Sequence, residues 1–139
     1  MKSLDTSVLA RFFINDPDDQ GAARQRPAAA AAMAERGFIP VKVLLEFEWA
    51  MRGFYALPCA QISRALRALA GVNHLVLEDR EMALNALDHY DPGLDFADAL
   101  HLARSKRATA MVTFAQRLAK HAKMPALQPA VELLESIAK

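Results

Sequence analysis

Asp5, Glu46 and Asp98 are acids that each stand where a strand ends or a helix begins. Asp5 follows Leu4 in an otherwise apolar stretch that continues to Val8 and Leu9, where an unpaired carboxylate is costly. Taken alone it reads as an ordinary helix N-cap. Glu46 sits early in a helix, where the dipole favours an acid, and borders the apolar face that includes Ala50. Glu48 points about 200° around the same helix and is four residues before Arg52, so it is expected to pair with Arg52 in solvent. Asp95 and Asp98 are one turn apart. Asp95 is placed to cap the helix, which leaves Asp98 as the candidate ligand; His101 on the same face reads as structural. Carboxylates gathered in one pocket repel one another unless a cation compensates. Hard oxygen donors select Mg²⁺, Mn²⁺ or Ca²⁺. The sequence has no His/Cys cluster with zinc spacing and no glycine-rich phosphate loop. Sixteen acids in 139 residues yield triples by chance, so spacing alone does not single out this set.

The elements that would position these acids alternate. Ser3–Leu9 reads as a first strand or strand-plus-turn, and 16–21 as a polar turn. Alanine propensity predicts a helix over Ala22–Glu35, with Pro27 at or near its start and Gly37 after its end. Phe38–Val43 reads as a second strand, with Pro40 arguing for an early or edge position. Helical spacing follows over Leu44–Phe54 (Phe47, Ala50, Met51, Phe54), with Trp49 expected in the core, and over Pro58–Leu69 (Ile62, Leu66, Leu69). His74–Leu77 is a short buried strand. Asp79 is expected to cap a helix running to Tyr90, and Asp95–Arg104 is the next helix, with Phe96, Ala99 and Leu102 inward. Thr109–Thr113 reads as a strand, Gln116–Ala122 as a short helix, Pro125–Pro129 as extended chain and Val131–Ile137 as a closing helix. The alternation predicts an α/β fold: a mostly parallel central sheet flanked by helices on both faces, in a single domain over 1–139. Ligands in such folds bind outside the carboxyl ends of the strands, where strand order reverses.

Composition narrows the classes. The chain is 53% hydrophobic and 24% charged, a globular balance. A formal charge of +1 does not argue for nucleic acid; affinity for it would need clustering of residues such as Arg52, Arg64, Arg67, Arg104, Lys106 and Arg107, which read mainly as solvated helix faces. The one cysteine, Cys59, cannot form an intrachain disulfide and reads as a half-buried structural thiol. The first residues lack a secretory pattern and no stretch is long enough to span a bilayer, so a cytoplasmic location is expected.

Four segments taken together carry a resemblance: Leu4-Asp5-Thr6-Ser7-Val8-Leu9, Val43-Leu44-Leu45-Glu46-Phe47-Glu48-Trp49, Asp95-Phe96-Ala97-Asp98-Ala99-Leu100-His101-Leu102-Ala103 and Met111-Val112-Thr113-Phe114. In order and spacing, over essentially the whole chain, the sequence resembles a PIN domain, and more closely the VapC-type toxin ribonucleases of bacterial toxin–antitoxin pairs. That resemblance implies an endoribonuclease dependent on Mg²⁺ (or Mn²⁺), a homodimer, and an antitoxin partner that inhibits it. By position, Asp5, Glu46 and Asp98 match the first three family acids and are expected as catalytic metal ligands. Thr113, Ser7 and Asp95 are expected in support.

The fourth acid is missing. Ala115 stands where the family places Asp, and Gln116, Arg117 and Leu118 do not replace it. Either the natural protein is a weakened variant, or the chain carries a deliberate Asp→Ala change that spares the producing host. Low or absent activity is expected as written. The rival readings are a PIN-fold binding module, acting through an antitoxin or RNA without cleavage, and a phosphatase with Asp5 as nucleophile. The latter normally wants a second Asp at position 7, where Ser7 stands.

Overall fold

A computed structural model describes residues 1–121 and 129–135. They divide into two compact units, Met1–Leu84 and Asn85–Lys139, with the division inside one helix.

The first unit is built on parallel strands β1 (Lys2–Ser3), β2 (Gly37–Ile39) and β3 (Leu75–Leu77), in that order across the sheet. Ser3 pairs with Phe38, and Phe38 with Val76. Gly37 lets Leu4 pack close, since a Cβ there would lie 2.7 Å from Leu4 Cδ1 and push that side chain aside. The three strands run parallel, so Asp5, Pro40 and Glu78 all leave the same carboxyl edge.

Helix α1 (Thr6–Phe13) starts where the first strand was expected to continue. Leu9 and Ala10 are buried, and Phe13 meets Phe47 edge-on at 5.4 Å. The apolar residues Val8, Leu9, Phe12 and Phe13 follow a helical spacing that the shorter window hid. Helix α2 (Gln20–Met33) starts two residues before the predicted position because Asp19 caps it, accepting the Ala22 N–H at 3.0 Å. Pro27 is therefore inside the helix, not near its start; the alanines around it sustain helical backbone despite the lost hydrogen bond.

Helix α3 (Val41–Gly53) also starts earlier than predicted, since Pro40 takes the cap position and ends the strand. Its first N–H, from Val41, is accepted by Glu78 Oε1 at 3.0 Å. Helix α4 (Cys59–Ala70) buries Ile62, Leu66 and Leu69 as expected and packs against β3.

Four side chains differ from their expected environments. Glu48 is buried, 1% exposed, and takes Arg52 Nε at 2.8 Å; it is not the solvated acid of its helix. Trp49 is 69% exposed rather than in the core, and Phe54 is 79% exposed. The buried stripe of α3 runs through Val43, Leu44, Phe47 and Met51, which turns Trp49 and Phe54 outward. Cys59 is exposed, at the solvent side of the first turn of α4.

Helix α5 (Arg80–Tyr90) is capped by Asp79 as predicted, through the Met82 N–H at 3.1 Å, and passes into the second unit. There Tyr90 meets Phe96 edge-on at 5.2 Å, at the start of α6 (Phe96–Arg104). Phe96, Ala99 and Leu102 are buried. Strands β4 (Ala110–Thr113) and β5 (Ala130–Leu133) pair in parallel, with α7 (Gln116–His121) between them in the chain and packed on both. The closing helix expected from Val131 is replaced over Val131–Leu133 by β5. The ladder offered by β4 outweighs a helical pattern only a few residues long. The expected extended piece at Pro125–Pro129 lies outside the described residues apart from Pro129.

The α/β class with parallel pairing holds. The sheets are small: three strands in the first unit and two in the second, among the described residues.

Candidate functional site

In the first unit, Asp5 occupies the N-cap position of α1, yet its side chain caps nothing. Its backbone oxygen receives the Val8 and Leu9 N–H groups, and among the described residues its carboxylate accepts only the Ser7 hydroxyl, Oγ to Oδ2 at 3.3 Å. The bland capping role is thus left to the backbone, and an exposed carboxylate remains at the strand's end. Beside it, Thr6 Oγ1 is buried with no hydrogen-bond partner among the described residues.

Glu46 is the sixth residue of α3, beyond the first turn, so the dipole argument for it loses force. Its neighbour is Lys42, Nζ to Oε1 at 3.6 Å, an exposed ion pair of small energetic value. Glu78 is an acid at the carboxyl edge that sequence reading passed over. Its carboxylate holds the start of α3, the helix that carries Glu46.

In the second unit, Asp95 caps α6 as predicted, accepting the Asp98 N–H at Oδ2, 3.3 Å away. Asp98, half-buried, faces an open pocket of about 300 Å³. The pocket's walls are Asp95 and Asp98 with the turn Pro92–Leu94 on one side, and Arg117, Lys120 and His121 on the other. Gly93 makes that turn with φ at +122°, a conformation that disfavours side chains.

Thr113 Oγ1 accepts the Ala115 N–H at 3.0 Å, and the Ala115 carbonyl receives the Ala119 N–H at 3.2 Å. Thr113 therefore shapes the entry to α7, and position 115 is that helix's cap position, filled by a methyl group. His101 is exposed.

Sequence reasoning missed the basic wall. Arg117, Lys120 and His121 fall at i, i+3 and i+4, a spacing that places them on one face of α7. It also missed His89, whose Nδ1 lies 3.1 Å from His121 Nε2, one ring donating to the other. Burial, and secondly the nearby His89, pull the His121 pKa below its usual 6.5.

The donors at Asp5, Thr6, Ser7, Glu46 and Asp98 are carboxylate and hydroxyl oxygens, the kind that suit Mg²⁺ or Mn²⁺, and the orphaned Thr6 hydroxyl is itself such a donor. The residues thus fit a hard cation in donor type. Among the described residues, no group of three or more His, Cys, Asp or Glu side chains is already assembled to hold an ion. No helix among them is long and apolar enough to cross a membrane.

The family model described as "PIN domain" matches residues 3–124. No curated protein and no solved structure matches the chain.

Proposed function

The chain belongs to the PIN domain family, whose members are generally nucleases that act with divalent metal ions, and from that premise we propose that it is the endoribonuclease toxin of a toxin–antitoxin pair, weakened by Ala115. The observation that carries this reading is the division of labour at α6. Asp95 is spent on the helix cap, while Asp98 faces an open pocket with basic groups on its far wall. The reading includes Mg²⁺ (or Mn²⁺) as cofactor, RNA as substrate, a cognate antitoxin, a homodimer, and a cytoplasmic location.

In this proposal Asp5, Glu46 and Asp98 are the catalytic carboxylates that hold the cation. When bound, the cation supplies Lewis-acid charge to the phosphodiester and eases deprotonation of the attacking water. Ser7 steadies Asp5 by donating its hydroxyl to the carboxylate. Asp95 fixes the first turn of α6 and so the position of Asp98. Thr113 sets the turn into α7, which orients residue 115. Ala115 supplies neither charge nor a proton acceptor, so water activation is left short of one carboxylate.

A second reading has its own support. Ala115, and the absence of a ready-made three-ligand group among the described residues, favour a PIN-fold binding module that acts through an antitoxin or RNA without cleavage. Calorimetric titration with Mn²⁺ separates the two. Binding that is lost in Asp98→Asn supports the nuclease; an absence of measurable binding supports the module.

A further inference from the structure

The fold of the second unit joins two histidines that the chain keeps 32 positions apart. His89 lies in the last turn of α5 and His121 in the last turn of α7. Their nearest ring nitrogens, Nδ1 of His89 and Nε2 of His121, are 3.1 Å apart, and the rings stand edge to face at 74°. Each side chain is half-buried, so small ions can reach the pair from solvent. Neither ring has a second hydrogen-bond partner among the described residues, so both can tilt about the contact.

We propose that His89 and His121 form a binding site for a divalent transition ion of the Zn²⁺ class, which clips the end of α5 to α7. Two imidazole nitrogens, each about 2.0–2.1 Å from a tetrahedral Zn²⁺ ion, lie about 3.3 Å from each other. The observed 3.1 Å is within a small tilt of that spacing. Without the ion, one ring donates its N–H to the other. On binding, that proton passes through solvent to the far nitrogen of the donor ring. Both rings stay neutral, and each turns a lone pair to the ion. Imidazole suits Zn²⁺, Cu²⁺ and Ni²⁺ better than it suits Mg²⁺ or Mn²⁺. The last turn of α5 adds the partial negative charge of a helix carboxyl end, which favours a cation. His121 shares its pocket with two carboxylates, Asp95 and Asp98, and two cations, Arg117 and Lys120, whose charges offset one another. The attraction therefore comes mainly from the ring lone pairs. No third His, Cys, Asp or Glu completes a ligand group among the described residues, so water fills the other positions on the ion and binding is reversible. The site is independent of the nuclease reading, whose cation is held by oxygens.

The test is calorimetric titration of the full chain with Zn²⁺. Excess Mg²⁺ occupies oxygen donors, and Cys59→Ser serves as the background because the exposed thiol would compete for zinc. One ion is expected to bind per chain. His89→Gln and His121→Gln are each expected to lose about 10-fold or more in affinity, while His101→Gln and Asp98→Asn leave it unchanged. Zn²⁺ is expected to raise the melting temperature of the background protein, followed by circular dichroism, and not that of His89→Gln. Ring-nitrogen NMR of the unmutated chain decides the matter even where a variant fails to fold: Zn²⁺ should shift the signals of two of the four histidines. No binding by the background protein, binding unchanged in either His89→Gln or His121→Gln, or an equal loss in His101→Gln or Asp98→Asn overturns the site. A shift of any other number of rings also overturns it. Mn²⁺ titration keeps the two readings apart. Mn²⁺ binding that is lost in Asp98→Asn, with zinc binding absent, defeats this site alone. Zinc binding that needs both histidines, with no Mn²⁺ binding, defeats the nuclease reading and leaves this site standing.

Discussion

Asp95 accepts the backbone N–H of Asp98 at 3.3 Å, so two acids one turn apart serve different ends. Asp95→Ala is expected to cost about 1 kcal/mol of folding stability through loss of the cap. Asp98→Asn should change stability little and lower Mn²⁺ affinity strongly. Chemical denaturation without metal and calorimetric titration with it measure the two effects separately. A metal affinity untouched by Asp98→Asn would remove Asp98 from the ligand set.

Position 115 is the cap of α7, and alanine is a poor cap. Ala115→Asp is expected to raise stability by about 0.5–1 kcal/mol in EDTA, by supplying an acceptor at the helix start. In Mg²⁺ or Mn²⁺ it is also expected to cleave RNA faster than the parent. If its rate equals the parent's, position 115 is no part of the catalytic machinery.

The two ion pairs of α3 should differ in value. Lys42–Glu46 is exposed, and Lys42→Ala is expected to cost at most about 0.5 kcal/mol. Glu48 is buried and accepts from Arg52 at 2.8 Å, so Arg52→Ala removes a charge-assisted bond to a buried carboxylate and is expected to cost more, about 2 kcal/mol. Urea midpoints of the two variants decide the ranking, and a reversed order would refute the burial argument.

His121 makes stability depend on pH. Its folded pKa lies below the unfolded 6.5, so the folded state binds the proton less readily than the unfolded chain. The contribution is present above about 6.5 and is lost as pH falls through that value toward the folded pKa, when charge is forced into a part-buried site beside His89. Denaturation at pH 7.5 and 5.5 should show a drop for the parent and a smaller one for His121→Gln. Equal drops would exclude the His89–His121 contact as its source.

Long-period signals were legible in the sequence. The inward residues of α4 and α6, the caps at Asp79 and Asp95, and the parallel α/β class all rest on local chemistry that a single chain displays. What escaped depends on partners distant in sequence. Pro40 alone does not reveal that α3 begins at Val41; the carboxylate that accepts its first N–H belongs to Glu78. Val131–Leu133 shows too few residues to declare a strand until β4 lies beside it. Phe47 and Met51 were placed on the right face of α3, but Glu48 and Trp49 were exchanged between core and solvent: adjacent helix positions differ by about 100°, and the buried stripe widens toward Leu44 and Glu48 rather than toward Trp49. Of the site, the acids were visible as types at intervals. The basic face of α7 was overlooked because two charges and a histidine on a six-residue helix look like solubility.

The hydrogen bond from Val41 to Glu78 spans 37 positions. A ribosome makes the helix bearing Glu46 well before it makes the residue that secures that helix's beginning. During synthesis α3 thus waits, with its leading amide facing water, until β3 has emerged. The carboxyl edge of the first unit is completed only once that later stretch of chain has been delivered.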